Sequence, residues 1–295
     1  MKGAADMFWI VGGLILLAAL PGLLNLNLAP LEMVANLRPQ VAVAALVFGV
    51  AALTVGRLWT GGGAVVLGAC LLLLTPELFA RPSPPVTQPG LKLVWANVFK
   101  TDAVVERLAA LAERTDADIV VLAEPPRDSA RTREALAAWP FVHGPEDPSI
   151  HGTVVFSRRP ISARTTGAVV EGGYPLTVVD VEGVRIIALH PPVAVTPRRL
   201  AGRNAMLRSA REAATGQSIV IGDMNATPWS RQLRLTASDL VRVSTGPGST
   251  WFSSLPVLGL PIDQIFATPG LQASARVGPG IGSDHLPLLV SIAPE

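Results

Sequence analysis

Before Arg81 the chain carries only six charged side chains, Lys2, Asp6, Glu32, Arg38, Arg57 and Glu77. Three apolar blocks fill that stretch, from Phe8 to Leu28, from Val41 to Trp59 and from Gly62 to Phe79. Each approaches the ~20 residues that cross the hydrocarbon core of a bilayer. Trp9, Trp59 and Phe79 fall near block ends, where amphipathic rings favour the lipid headgroup level. A cleaved signal peptide would account for the first block, since Lys2 precedes its apolar core, but not for the other two. The pattern therefore predicts a membrane anchor over residues 1–80 with three transmembrane helices. Three spans put the ends of the anchor on opposite sides. The arginines around the spans are nearly balanced, and the orientation adopted is a multi-pass cell-membrane protein with an extracytoplasmic C-terminal domain.

From Arg81 to Gly90 the sequence reads RPSPPVTQPG. Four prolines without apolar periodicity predict a semi-stiff linker over residues 81–90. Residues 91–295 then form one domain. From Arg81 onward 21 Lys and Arg face 19 Asp and Glu, which lacks the basic footprint of a nonspecific nucleic-acid binder. The single cysteine, Cys70, lies in the third apolar block, so no disulfide forms within one chain.

Short β-branched runs bounded by turn residues predict strands at Lys92–Val98, Ile119–Ala123, Thr153–Ser157, Leu176–Val181, Val184–Leu189, Ser218–Ile221, Gln264–Ala267 and Leu288–Ile292. Helical patterns lie between some of them. Asp102 can cap one whose Val104, Val105, Leu108, Leu111 and Ala112 share a face. Ser129 can cap a second through Trp139, and a third opens at Thr196-Pro197 and ends near Gly216. Alternating short strands and helices predict an α/β domain, a mixed sheet with helices outside.

Polar residues punctuate the strand ends. Asn97 ends the first strand; Glu124 follows IVVLA and His190 follows RIIAL. Asp223 and Asn225 come just after SIVIG, Asp263 precedes QIFA, and Asp284-His285 precede LPLLV. Such positions converge on one rim of a sheet, where sites in α/β proteins form. Carboxylates, a carboxamide and imidazoles on neighbouring loops are the parts for metal-assisted attack of water on a phosphate ester.

In this order the motifs Trp95-Ala96-Asn97, Leu122-Ala123-Glu124, Gly152-Thr153-Val154-Val155-Phe156-Ser157-Arg158-Arg159-Pro160, Leu189-His190, Gly222-Asp223-Met224-Asn225, Pro261-Ile262-Asp263-Gln264-Ile265-Phe266 and Ser283-Asp284-His285 resemble the endonuclease/exonuclease/phosphatase superfamily. With three apolar blocks ahead of it, the domain looks like the membrane-anchored bacterial branch that includes the VanJ-type teicoplanin-resistance proteins. The resemblance implies a four-layer α/β sandwich, two mixed β-sheets flanked by helices. It also implies Mg²⁺, with Mn²⁺ as an alternative. By the same carry-over Glu124 is the principal metal ligand, with Asn97 and Asp284 nearby. Asp223 orients or deprotonates the attacking water and Asn225 supports it. His285, held by Asp263, and His190 contact the phosphate. Arg203 and Asn204 on the third helix, with Trp251, are the candidate substrate contacts.

Each residue also has a plainer reading. Asp223 and Asn225 alone would suit an Asx-type turn, Asn97 a strand-end turn and Glu124 a helix cap. His190 before two prolines suits an exposed loop, and His143 and His151 are assigned to that class. The arginines of the third helix suit a solvated outer face. Three positions depart from the family pattern: Phe99 where some relatives carry an acid, Gln264 where His or Tyr is common, and Met206 in place of Gln.

The apolar loop from Trp251 to Leu260, just before Asp263, is either buried on the domain or a surface for acyl or prenyl chains. The reading adopted is a membrane-anchored, divalent-metal-dependent phosphoesterase. Its partners are the bilayer and a phosphate ester, lipid-linked or envelope-associated; the sequence leaves the oligomeric state open. The alternatives are a membrane-tethered nuclease, and a non-catalytic binding protein of the same fold.

Overall fold

The computed structural model describes residues 2–24, 26–127, 129–145, 152–166, 175–236 and 238–293. His151 lies outside that set. Two six-stranded mixed sheets form the centre of the domain. In the first, β1 (Leu91–Asn97) lies between β12 (Leu288–Ala293) and β2 (Ile119–Ala123); β11 (Gln272–Val277) flanks β12, and β4 (Thr153–Ser157) then β3 (Phe141–His143) follow β2. The second runs β5 (Ile161–Thr166), β6 (Thr177–Val181), β7 (Val184–Leu189), β8 (Ser218–Asp223), β10 (Asp263–Ala267) and β9 (Val241–Arg242).

The continuous apolar character of these strands follows from burial on both faces. Along β1, Leu91, Leu93 and Trp95 enter the core between the sheets, while Val94 and Ala96 face a helix layer. That layer is α5 (Asp102–Arg114), whose Val104, Val105, Leu108, Leu111 and Ala112 are all buried as expected, with the short α6 (Ser129–Ala135) beside it. On the far side, Ile187, Leu189 and Val220 meet Met206, Leu207 and Ala210 of α7 (Pro197–Ala213) and Leu233 of α8 (Arg231–Thr236). The layers are therefore helix, sheet, sheet, helix. Thr196 caps α7 by accepting a hydrogen bond from the Arg199 N–H at 3.3 Å.

The apolar region forms α1 (Lys2–Leu24), α2 (Leu31–Ala35), α3 (Arg38–Thr54) and α4 (Leu58–Leu73). Among the described residues one helix, over Met7–Leu24, is long and apolar enough to cross a membrane. Of the three helices expected, this one reaches that length, and the other two are shorter apolar helices. At 17 and 16 residues, α3 and α4 reach only ~25 Å at the usual helical rise. The second block begins earlier than expected, at Arg38, and the third breaks at Leu74, with Pro76–Phe79 forming a 3₁₀ turn. Helices α3 and α4 pack through small residues: a Cβ on Gly49 would press on the Gly61 carbonyl, and the reverse also holds. Their outer faces expose Val43, Val47, Val50, Trp59, Val66 and Leu73.

The proline-rich segment runs along the domain. Ser83 N–H donates to the Ser244 carbonyl at 2.9 Å, Val86 N–H to Ser274 Oγ at 3.2 Å, and Gly90 N–H to the Ile292 carbonyl at 2.9 Å.

Candidate active site

Strand parity assembles the site. Asn97 continues the inward series Leu91, Leu93, Trp95; Asp223 continues Ile219, Ile221; and Asp263 precedes Ile265 and Ala267 on the same face. Asp223 and Asp263 are register partners across the antiparallel β8–β10 pair. His190 follows β7, which runs parallel to β8 with Leu189 beside Gly222. Alternation would turn Glu124 away, because Ala123 already faces inward. Glu124 instead takes a left-handed φ of 48°, which re-aims its carboxylate. Phe99 (φ 48°) and Asn225 (φ 46°) are left-handed too, and all three line one cavity. Clustering of this uncommon conformation is typical of functional rims.

That cavity encloses about 350 Å³. Glu124, His190, Asp223, Asn225, Trp251, Asp284 and His285 all line it. Asn97 Nδ2 donates toward Glu124 Oε1 at 3.2 Å and Asp223 Oδ2 at 3.4 Å. His190 Nε2 lies 3.4 Å from Asp223 Oδ2 and 3.8 Å from Glu124 Oε1. His285 Nε2 lies 3.6 Å from Asp223 Oδ2 on its other side. Asn225 turns back on the carboxylate, its N–H donating to Asp223 Oδ1 at 2.9 Å, and its Nδ2 donates to the Pro191 carbonyl at 2.9 Å.

His285 is held from behind. Its Nδ1 lies 2.8 Å from Asp263 Oδ2, and the other oxygen of Asp263 accepts a hydrogen bond from the Trp95 indole at 2.8 Å. Burial draws the imidazole toward its neutral form, but Asp263, then Asp223, overcome this and raise its pKa to about 10. Burial likewise opposes ionisation of Asp223, yet His285 and His190 hold its pKa well below the usual carboxylate range. Ser283 ties the two halves together: its Oγ donates to the Asn97 carbonyl at 2.7 Å and accepts from the His285 N–H at 3.1 Å.

Two expected substrate contacts lie elsewhere. Arg203 is fully buried and ion-paired with Glu32, and its Nη2 donates to Asn204 Oδ1 at 3.1 Å. Asn204 donates in turn to Asn27 Oδ1 at 3.1 Å. Neither lines the cavity. The cause is that α7 is buried on two faces, one on the sheet and one against the segment after α1. Trp251 does line the cavity, with its indole N–H donating to Asp284 Oδ2 at 3.1 Å.

Asn97 meets both the backbone and the carboxylates through its amide. Its Oδ1 accepts the Phe99 N–H at 3.1 Å, which turns the amide NH₂ toward the carboxylates. Among the described residues no group of three or more His, Cys, Asp or Glu is arranged to hold a metal ion. The cavity offers Glu124 and Asp284 as hard oxygen donors, and a water-rich Mg²⁺ needs only one or two carboxylates.

Three lining residues carried no usable signal in the sequence. Arg199 looked like part of a solvated helix face, and Met33 and Asn36 like part of the first interspan turn. A larger cavity of about 500 Å³, walled by Lys92, Arg114 and Ser274, has no comparable grouping of carboxylates and imidazoles.

A model of the endonuclease/exonuclease/phosphatase family matches residues 94–285. Among solved structures, an AP endonuclease from Archaeoglobus fulgidus is similar at a TM-score of 0.59 and 16% identity, covering 68% of this chain and 99% of the other. A Neisseria 3′ phosphatase bound to a product DNA hairpin gives 0.57 and 17%, with 69% and 100% covered. An endonuclease/exonuclease/phosphatase from Beutenbergia cavernae gives 0.55 and 21%, with 70% and 72% covered. No curated protein matches. At such identities the structural likeness speaks to the fold, whereas the match over most of the domain settles the lineage: this chain belongs to the endonuclease/exonuclease/phosphatase family.

Proposed function

We propose that this protein is a membrane-attached, divalent-metal-dependent phosphoesterase acting on an ester with an apolar substituent. The observation that carries the reading is the gathering of Glu124, His190, Asp223 and His285, spread from position 124 to position 285 of the sequence, around one small cavity. Glu124, with Asp284 across the cavity, would hold Mg²⁺ or Mn²⁺, which when bound neutralises phosphate charge and acidifies a water ligand. Asn97 braces Glu124 and Asp223 through its NH₂ group.

Asp223 serves as an orienting group for the attacking water. The two imidazoles beside it keep its carboxylate ionised, so it can accept a hydrogen bond from that water. The protonated His285 donates to the phosphate oxygens as charge builds in the transition state, with Asp263 fixing its tautomer. His190 meets the phosphate from the opposite side, steadied by Asn225. Arg199 adds a cation at the mouth.

Membrane attachment rests on α1 and on the apolar outer faces of α3 and α4, which need a covering as apolar as lipid. A nuclease reading draws on the named activities of the structural neighbours. The near-neutral charge of the domain counts against it. Purified full chain in detergent, supplied with Mg²⁺, tests the choice on bis-p-nitrophenyl phosphate, a long-chain alkyl phosphodiester and a DNA hairpin. Diester turnover lost in Asp223→Ala supports the proposal; DNA cleavage alone favours the nuclease; no turnover of anything favours a binding protein.

A further inference from the structure

Met33 and Asn36 belong to the elbow joining α1 to α3, yet they wall the same cavity as Glu124, Asp223 and His285. The other residues that line it belong to the catalytic domain. The elbow is anchored there by buried polar contacts. Glu32 is 3% exposed; it pairs with Arg203, and its Oε1 accepts from Ser230 Oγ at 2.8 Å. Asn36, 1% exposed, accepts through Oδ1 from Thr227 N–H at 3.2 Å and from Thr227 Oγ at 2.9 Å. Its backbone carbonyl accepts from the Trp229 indole at 3.1 Å. Asn27 accepts from Asn204.

Buried ionic groups are costly unless their geometry is complete. Here the oxygens of Glu32 and Asn36 are matched by four residues of the catalytic domain, so the elbow has one fixed seat rather than a loose contact. Between those two anchors stands Met33, half-buried, facing a cavity that Leu260, Ile262, Val193 and Trp251 also line. The Nδ2 of Asn36 meets only the Met33 sulfur, at 4.0 Å, among the described residues. One wall is thus polar and reactive, the other apolar with a single amide donor.

We infer that the α1–α3 elbow is the selectivity wall of the catalytic cavity, with Met33 contacting the non-leaving substituent of the phosphate ester. The inference rests on the phosphoesterase reading above and adds the residue that selects the ester. Thioether side chains adapt to flexible apolar groups, which suits an alkyl chain. The Glu32–Arg203 pair acts as a positioning device, not as a substrate contact.

The test uses the full chain in detergent with Mg²⁺ and two soluble diesters, methyl and hexyl p-nitrophenyl phosphate, which share a leaving group. Wild type should favour the hexyl ester about tenfold in kcat/KM, the scale expected for partial burial of several methylenes. Met33→Gln should cut that preference at least fivefold, through the KM of the hexyl ester. Met33→Leu should keep it. An unchanged hexyl preference in Met33→Gln overturns the inference. Equal methyl-ester turnover by wild type and Asp223→Ala overturns the phosphoesterase reading instead. In that event calorimetric binding of hexylphosphonate still decides the elbow's part: weaker binding by Met33→Gln supports it, equal binding defeats it.

Discussion

Replacing Asp263 with Asn changes one charge and almost no volume, which makes it a sharp probe of His285. The asparagine keeps an oxygen for the Trp95 indole but removes the carboxylate 2.8 Å from His285 Nδ1. At that separation a unit charge pair in an effective dielectric of 20 is worth about 6 kcal/mol, or roughly four pKa units. Burial of the ring remains and favours the neutral form. The imidazole pKa should therefore fall from about 10 to below its ordinary value of 6.5. At pH 8.5 the protonated fraction would drop from about 97% to about 1% or less. Turnover of bis-p-nitrophenyl phosphate at that pH should fall about 30- to 100-fold, in line with loss of one oriented charge-stabilising donor. The assay is the pH profile of kcat/KM for both proteins. In the variant the alkaline limb should move below pH 7, with activity partly regained near pH 6. An alkaline limb in the same place in both proteins would refute the argument that His285 acts as a cation held by Asp263.

Four further outcomes follow from the geometry. Asp223→Ala should lower kcat by at least about 10³-fold while leaving circular dichroism unchanged, since oriented electrostatic groups carry barriers of this size. Arg203→Ala leaves Glu32 buried without its partner and should cost about 3–5 kcal/mol, visible as a fall in the chemical-denaturation midpoint. Gly222→Ala would drive a Cβ into the Leu189 carbonyl of the neighbouring strand, and should cost more than about 3 kcal/mol and abolish soluble yield. The stability supplied by His285 is present in full below its unfolded pKa near 6.5, because its folded value is raised. It is lost as pH climbs through about 10, and thermal melts in that window should fall in wild type and stay flat in Asp263→Asn.

Much of this architecture was legible because the central strands are buried on both faces. Ile119–Ala123, Thr153–Ser157 and Val184–Leu189 have the bounds that their β-branched runs imply. The strands without such a signal are β3, β5, β9 and β11, and all four stand at sheet edges. An edge strand packs less and keeps polar residues, as Gln272–Val277 does with its mostly half-exposed pattern, so little periodicity is left to read. The polar residues at strand ends were readable for a related reason: an acid directly after a buried apolar run has no packing role there. Arg203 defeated the same logic. A helix with five arginines reads as a solvated face, and no local pattern tells that one of them has a partner 171 positions away. Met33 was hidden in the same way, as an apolar residue in an apolar region. A count of apolar residues also does not show where a helix ends: α3 stops at Thr54 and α4 at Leu73, inside runs that stay apolar.

The seating of the elbow on α7 bears on how the protein should be handled. A fragment beginning at Leu91, trimmed of its greasy N-terminal third to gain yield, would bare the Arg203 guanidinium, the Trp229 indole and the Thr227 hydroxyl to solvent. Such a fragment would lose Met33 and Asn36 from the lining of the catalytic cavity. Its substrate range would then describe the truncation, and broad activity on nucleic acids from it would say little about the natural ester.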